Sequence, residues 1–174
     1  MKEMIQASDY AGLIMDSLPR GILLNTQADK FNSMVIGWGH MGVIWGLPTF
    51  SVSVRQSRFT REQLDRTQAF TISAPLEGAL SREAFQILGS QSGRDLDKEK
   101  AAHLTLSEPV QNGVPGIKEY PLTLECRVLY RQDEELKFMT EEVRRKYYSY
   151  PGGAEDFHTM YIGEIISAYI IREA

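Results

Sequence analysis

The sequence predicts a mainly β fold, a barrel with a few added helices. Three observations carry this expectation: short apolar runs separated by Gly, Pro and Asn clusters, a clear two-residue alternation in the best-defined run, and no strand-helix-strand rhythm. With 174 residues, 43% of them hydrophobic and 24% charged, the chain can bury one core without staples. No repeat, low-complexity tract or linker divides it, so residues 1–174 read as a single domain.

Taken in order, Lys2 to Asp16 is expected to form a short helix, and Gly21-Ile22-Leu23-Leu24 a first strand followed by a turn over Asn25 to Asn32. The runs Met34 to Gly39 and Val43-Ile44-Trp45 come next, with glycines suited to bulges or close backbone approach in a curved sheet. Pro48 to Arg55 is the clearest strand, because Phe50, Val52 and Val54 alternate with Thr49, Ser51, Ser53 and Arg55. Thr60 and Ser81 are expected N-caps of two short helices. Farther on, Leu122, Leu124, Cys126, Val128 and Tyr130 share one strand face, with Thr123, Glu125 and Arg127 on the other, and Met160 to Ile171 forms the last long strand. Cys126 therefore reads as a buried hydrophobe.

A net charge of −4 argues against a dominant nucleic-acid partner, which would select a basic field. The single cysteine, Cys126, cannot form an intramolecular disulfide and suits a reducing compartment. Acidic residues interrupt the N-terminal stretch and no apolar run reaches membrane-spanning length, so the expectation is a cytoplasmic protein without a membrane partner. His40, His103 and His158 lack metal-ligand spacing, and no metal site is predicted. There is no GxSxG elbow for a serine hydrolase. Gly37-Trp38-Gly39-His40-Met41-Gly42 matches the dinucleotide fingerprint GxGxxG, but only five residues separate its last glycine from Pro48, and they are β-rich. The fingerprint works only with a helix opening inside it, so these glycines read as part of a sheet bend.

Val54-Arg55-Gln56-Ser57-Arg58-Phe59-Thr60 is chemically richer: it ends a strand, carries two arginines and two hydroxyls, and opens a helix. Guanidinium forks, hydroxyls and a helix N-terminus together suit a phosphate, although the same residues suit a solvated turn. Asn32-Ser33-Met34 offers amide, hydroxyl and thioether groups able to meet a polar-edged aromatic ring, or to form a plain turn. Ser92-Gly93-Arg94-Asp95 reads alone as an ordinary loop. Tyr147, Tyr148, Tyr150 and Phe157 surround the Pro151-Gly152-Gly153 turn, either as packing or as a substrate platform.

Together, Asn32 to Gly39, Ile44 to Pro48, Val54 to Thr60, Ser92 to Asp95 and Asp156 to Ile165 resemble, in order and over nearly the whole chain, the flavin reductase-like family that includes flavoredoxin. The resemblance implies an FMN-binding split β-barrel, homodimeric, with FMN held noncovalently near the subunit interface. It implies that Asn32, Ser33 and Met34 contact the flavin's ring and ribityl groups, that Arg55, Ser57, Arg58 and Thr60 hold its phosphate, and that Lys98 and His158 add contacts. Val35 and Phe59 complete the implied cofactor-binding set. No catalytic side chain is implied, since the flavin carries the chemistry. The electron donor would be NAD(P)H or a reduced redox protein, in a flavin reductase-like oxidoreductase; the alternative is an FMN-binding electron carrier without small-molecule turnover. Gln56 departs from the family pattern, which places proline there, and leaves φ of the turn less restricted.

Overall fold

A computed structural model of the chain describes residues 1–76, 80–149 and 156–172. Its elements are β1 (Lys2–Met4), α1 (Ala11–Ser17), β2 (Ile22–Gln27), β3 (Phe31–Ile36), β4 (Gly39–Ile44), β5 (Leu47–Arg55), α2 (Phe59–Thr67), β6 (Ala69–Ala74), α3 (Arg82–Ser90), α4 (Lys98–Ala101), β7 (Leu106–Ser107), β8 (Gly116–Ile117), β9 (Leu122–Asp133), α5 (Glu141–Tyr147) and β10 (His158–Ile171). Tyr150, the Pro151-Gly152-Gly153 turn and Glu173 lie outside the described residues.

One antiparallel sheet runs β3-β2-β6-β9-β10-β5-β4, with β1 added to β10. Strand β10 holds it together. Its first half, His158 to Glu164, pairs with β5, its last residues pair with β1, and β9 follows its other edge nearly throughout. Register shifts at Ile162/Gly163 and Ile165/Ser167 mark bulges, which increase local twist and let the sheet curl around its core. Phe50, Val52, Val54, Phe70, Ile72, Leu122, Leu124, Cys126 and Tyr161 fill that core. A second cluster, with Leu23, Phe31, Leu88 and Tyr120, lies under α3. Strand β2 is therefore covered on both faces, which explains why Ile22-Leu23-Leu24 does not alternate.

Several expectations change. Lys2–Met4 is a strand, not the start of a helix, because it supplies an antiparallel partner for Tyr169 to Ile171; the helix is confined to Ala11–Ser17. In helix α2 the N-cap position falls to Arg58, whose side chain makes no capping bond, instead of Thr60, which sits in the first turn. Ser81 does cap α3, its side chain accepting from the Ala84 N–H. Thr123 and Glu125 face away from Cys126 yet are fully buried. Their cover is the segment before β8, held down by the Glu125 carboxylate, which accepts the N–H groups of Val110, Gln111 and Asn112 at 2.6, 2.7 and 2.9 Å. Tyr130 is exposed where β9 runs on past the core. The glycine fingerprint is strand on both sides: Gly37 and Trp38 join β3 to β4, and Gly39 to Gly42 lie inside β4.

Cys126 is wholly buried, and that burial pushes its thiol well above the usual range. It packs against Gly163, where an added Cβ would lie 2.6 Å from the Phe70 ring and 3.0 Å from the Cys126 Cβ. Phe70 has no room to retreat, since it too is fully buried. Gly163→Ala is expected to destabilise the fold by about 1–3 kcal/mol through overpacking, read as a lower urea midpoint at unchanged slope; an unaltered midpoint would show that the core can relax there.

Candidate functional site

Two cavities of about 190 Å³ each meet where β5 gives way to α2, and Met34 and Arg58 line both. The lower one lies at the N-terminus of α2, bounded by Asn32, Ser57, Phe59, Thr60, Gly93 and Lys98. The upper one is bounded by Val35, Trp38, Ser53, Arg55 and His158. Every residue of the expected set except Ser33 lines this cleft. A larger cleft of about 600 Å³ beside Lys2 and Arg172 lacks such convergence: Arg172 is paired with Glu3, and Lys2 donates to the Glu108 carbonyl.

The lower cavity is cationic by construction. Asp97 caps α4 and sets Lys98 at its first position, where the side chain is 3% exposed. Its Nζ donates to the carbonyls of Ser33 at 2.8 Å and Leu88 at 3.0 Å, tying β3 to α3. Two of three ammonium protons are thereby used. Burial lowers the Lys98 pKa to about 8, and the neighbouring positive charge of Arg58 adds to the effect. Among the described residues no carboxylate pairs with Arg58. Its neighbours are engaged: Arg94 bonds Glu62 and the Ser57 carbonyl, and Arg61 faces Asp65 and Asp133. Asn32 donates to Thr60 Oγ1 at 2.8 Å, while its buried Oδ1 has no hydrogen-bond partner among the described residues. Gly93 is required here, because any Cβ would collide with Asn32 Oδ1 and Phe59.

Ser57 and Arg55 serve another contact. The Ser57 N–H and hydroxyl donate to the Asp156 carboxylate at 3.0 and 2.7 Å, and Arg55 donates to the carbonyls of Asp156 at 2.8 Å and Tyr147 at 3.4 Å. Both residues thus tie the β9–β10 excursion to the cleft. In the upper cavity, β5–β10 register sets His158 directly across from Arg55. The His158 ring lies 4.9 Å from Trp38, and its Nδ1 lies 2.9 Å from Tyr148 Oη. Tyr148 donates to Glu134 at 2.6 Å. Burial pushes the Glu134 carboxyl up, but hydrogen bonds from His158 and Tyr148 outweigh it and hold it below its ordinary value.

Trp38 and Glu134 were not expected at the site, and Tyr148 was expected either as packing or as part of a substrate platform. Trp38 sits in the discounted glycine run, whose aromatic member was the informative one. Glu134 belongs to Asp133-Glu134-Glu135, which reads as a solvated acidic run, and nothing local marks it. Among the described residues no cluster of His, Cys, Asp and Glu could hold a metal.

The family profile of the flavin reductase like domain matches residues 15–174. The chain belongs to that family. Its split-barrel fold recurs in an FMN-binding domain of a flavin reductases-like enzyme from Shewanella baltica, with TM-score 0.69 at 17% identity over 98% of this chain and 77% of that one. Flavoredoxin from Methanosarcina acetivorans aligns with TM-score 0.64 at 25% identity, over 87% of this chain and 68% of that one. The NADH:FAD oxidoreductase of Streptomyces globisporus aligns with TM-score 0.62 at 16% identity, over 97% and 87%. No curated protein matches the sequence significantly. Membership makes the chain a flavin-associated protein of the oxidoreductase and electron-carrier class.

Lys98 generates a measurable linkage. Its pKa in the fold, about 8, lies below the ordinary lysine value, so the unfolded chain binds more protons between the two values and stability rises with pH there. The penalty on the buried ammonium is fully in force below about pH 8 and relieved as the pH climbs toward 10.5. Relative to Lys98→Met, the wild type should gain on the order of 3 kcal/mol across that window, measured by urea unfolding of both; a constant difference would refute the burial of a charged amine.

Proposed function

We propose that this flavin reductase-like protein binds FMN in the two joined cavities and passes electrons from NAD(P)H or a reduced protein donor through it. The observation that carries the reading is the division of one cleft into a cationic end at the α2 N-terminus and an end walled by Met34, Val35 and Trp38. The residues fit such a ligand. Among the described residues, Arg58 has no anion partner, Lys98 keeps its third proton and Asn32 Oδ1 is orphaned; a phosphate and a polyol chain would satisfy all three.

In this reading Arg58, Thr60 and Lys98 hold the phosphate, with Ser57 and Arg55 beside them. Asn32 and Met34 meet the ribityl chain and ring edge, and Phe59 closes one side. Val35 flanks the ring, and His158 faces it. Ser33 acts through its carbonyl, which orients Lys98. Bound flavin supplies the redox chemistry, taking up and releasing electrons; the protein supplies position, field and exclusion of water.

A homodimer accords with the apolar display on the β4–β5 hairpin. Val43 and Trp45 are both exposed, Trp45 at 63%, and Trp45 sits at the hairpin tip with φ of 54°, a conformation costly for a bulky residue. A second copy of this chain would cover that face, and sedimentation would then return twice the chain mass.

Arg58→Ala should weaken FMN by on the order of 2 kcal/mol, the low end for a charged hydrogen-bonded partner because Arg58 is exposed, while leaving riboflavin binding nearly unchanged in fluorescence titrations. Equal losses for both ligands would put the phosphate elsewhere. The 25% identity to a flavoredoxin favours a second reading, an electron carrier without small-molecule turnover. Rapid mixing of the flavin-loaded protein with NADH or NADPH separates the two: bleaching of the flavin band followed by turnover with free flavin is the reductase outcome, and reduction only by a protein donor is the carrier outcome.

A further inference from the structure

The polar cluster at the base of the β9–β10 excursion does more than fill space. Tyr148 Oη lies 2.6 Å from Glu134 Oε2 and 2.9 Å from His158 Nδ1, and that Nδ1 is 3.5 Å from the same carboxylate oxygen. A phenol has one proton to give, and a carboxylate can only accept. Glu134 stays ionised because hydrogen bonds hold its carboxyl low despite burial, whereas burial and the adjacent carboxylate push the Tyr148 phenol up and keep it protonated. The phenolic proton therefore goes to Glu134. The Tyr148 lone pair is then left to accept, so the proton of a neutral His158 must sit on Nδ1.

That assignment fixes the other nitrogen. His158 is 5% exposed and lines the upper cavity, with the Trp38 ring 4.9 Å away and tilted by 44° across its face. No described residue bonds Nε2, so it meets the cavity as a bare lone pair. A histidine held by one nitrogen and free at the other has its tautomer set by the bonded side.

We propose that Glu134 and Tyr148 are positioning residues that lock His158 in its Nδ1–H tautomer, so that Nε2 accepts a hydrogen bond from the N–H edge of a heteroaromatic ligand in the upper cavity. The ligand's identity rests on the FMN reading; the tautomer is a property of the chain alone. A cluster that merely packs would tolerate either tautomer. This one reverses if the acceptor is lost: without the Glu134 carboxylate, the Tyr148 O–H has only Nδ1 to donate to, and the histidine proton must move to Nε2.

The test is nitrogen-15 NMR of histidine-labelled protein, with the His158 signals assigned by their loss in His158→Gln. In the wild-type apoprotein Nδ1 should be pyrrole-like and Nε2 pyridine-like, the favoured tautomer exceeding the other by about tenfold or more, as one charge-assisted hydrogen bond allows. Glu134→Leu should invert the pattern, and Glu134→Gln, which retains an acceptor for the phenol, should restore it. Should Glu134→Leu fail to fold, Tyr148→Phe serves instead, with the preference expected to collapse toward an even mixture. A wild-type Nε2–H tautomer, or a pattern indifferent to these variants, overturns the proposal. Adding FMN should shift Nε2 of His158 and leave His103 in place. Binding without that shift overturns the ligand contact, whereas failure of FMN to bind removes the flavin reading and leaves the tautomer decided by the apoprotein.

Discussion

The beginning of β10 is the constraint on which the cleft depends. Three chain segments end their pairing there, and each must still satisfy its backbone. His158 pairs with Arg55 in register, the Gln56 N–H donates to the Phe157 carbonyl at 2.9 Å, and the Glu134 N–H donates to the His158 carbonyl at 2.9 Å. These bonds hold the end of β5, the end of β9 and the start of β10 at fixed spacing just beyond the sheet. Arg55, Glu134 and His158 are brought together by that spacing, although they are distant in sequence. The bulges farther along β10 belong to the same account, since they let one strand serve β5 at one end and β1 at the other while the sheet curls.

Charge accumulates in the lower cavity because the layer outside the sheet delivers it there. Lys98 is buried only because α4 is drawn against β3, and that approach requires a turn with no side chain at Gly93. Two carbonyls hold the ammonium but do not neutralise it, and Arg58 opposes it. Such an arrangement is costly in the free protein and becomes favourable when an anion arrives. Elsewhere around α2, Arg61, Arg66 and Arg94 have acidic partners, whereas Arg58 has none among the described residues.

Much of this was legible in the sequence, for identifiable reasons. The alternation of Phe50, Val52 and Val54 against Thr49, Ser51 and Ser53 marked β5, and Ser81 marked the start of α3, because each signal is local. Pro48 close behind Gly42 was enough to discount the glycine fingerprint. What failed was non-local. Lys2–Met4 is a strand only because the far end of the chain needs a partner, and Glu125 is buried only because residues 110 to 112 fold over it. The cleft followed the same rule: the ordered motifs named the residues that line it, while Glu134 and Tyr148 depend on where β9 and β10 converge.

The contacts of Arg55 and Ser57 connect the two ends of the cleft. Arg55 gives protons to the carbonyl oxygens of Asp156 and Tyr147, and so holds the backbone of the excursion. Ser57 differs, because its N–H and its hydroxyl carry one proton each and both are given to the Asp156 carboxylate. A phosphate that takes Ser57 as a donor must therefore take the place of Asp156, and one that leaves Asp156 in place must rely on Arg58, Thr60 and Lys98. Asp156 stands two residues before His158. The same short stretch therefore carries the carboxylate that meets Ser57 at the cationic end and the imidazole that lines the upper cavity.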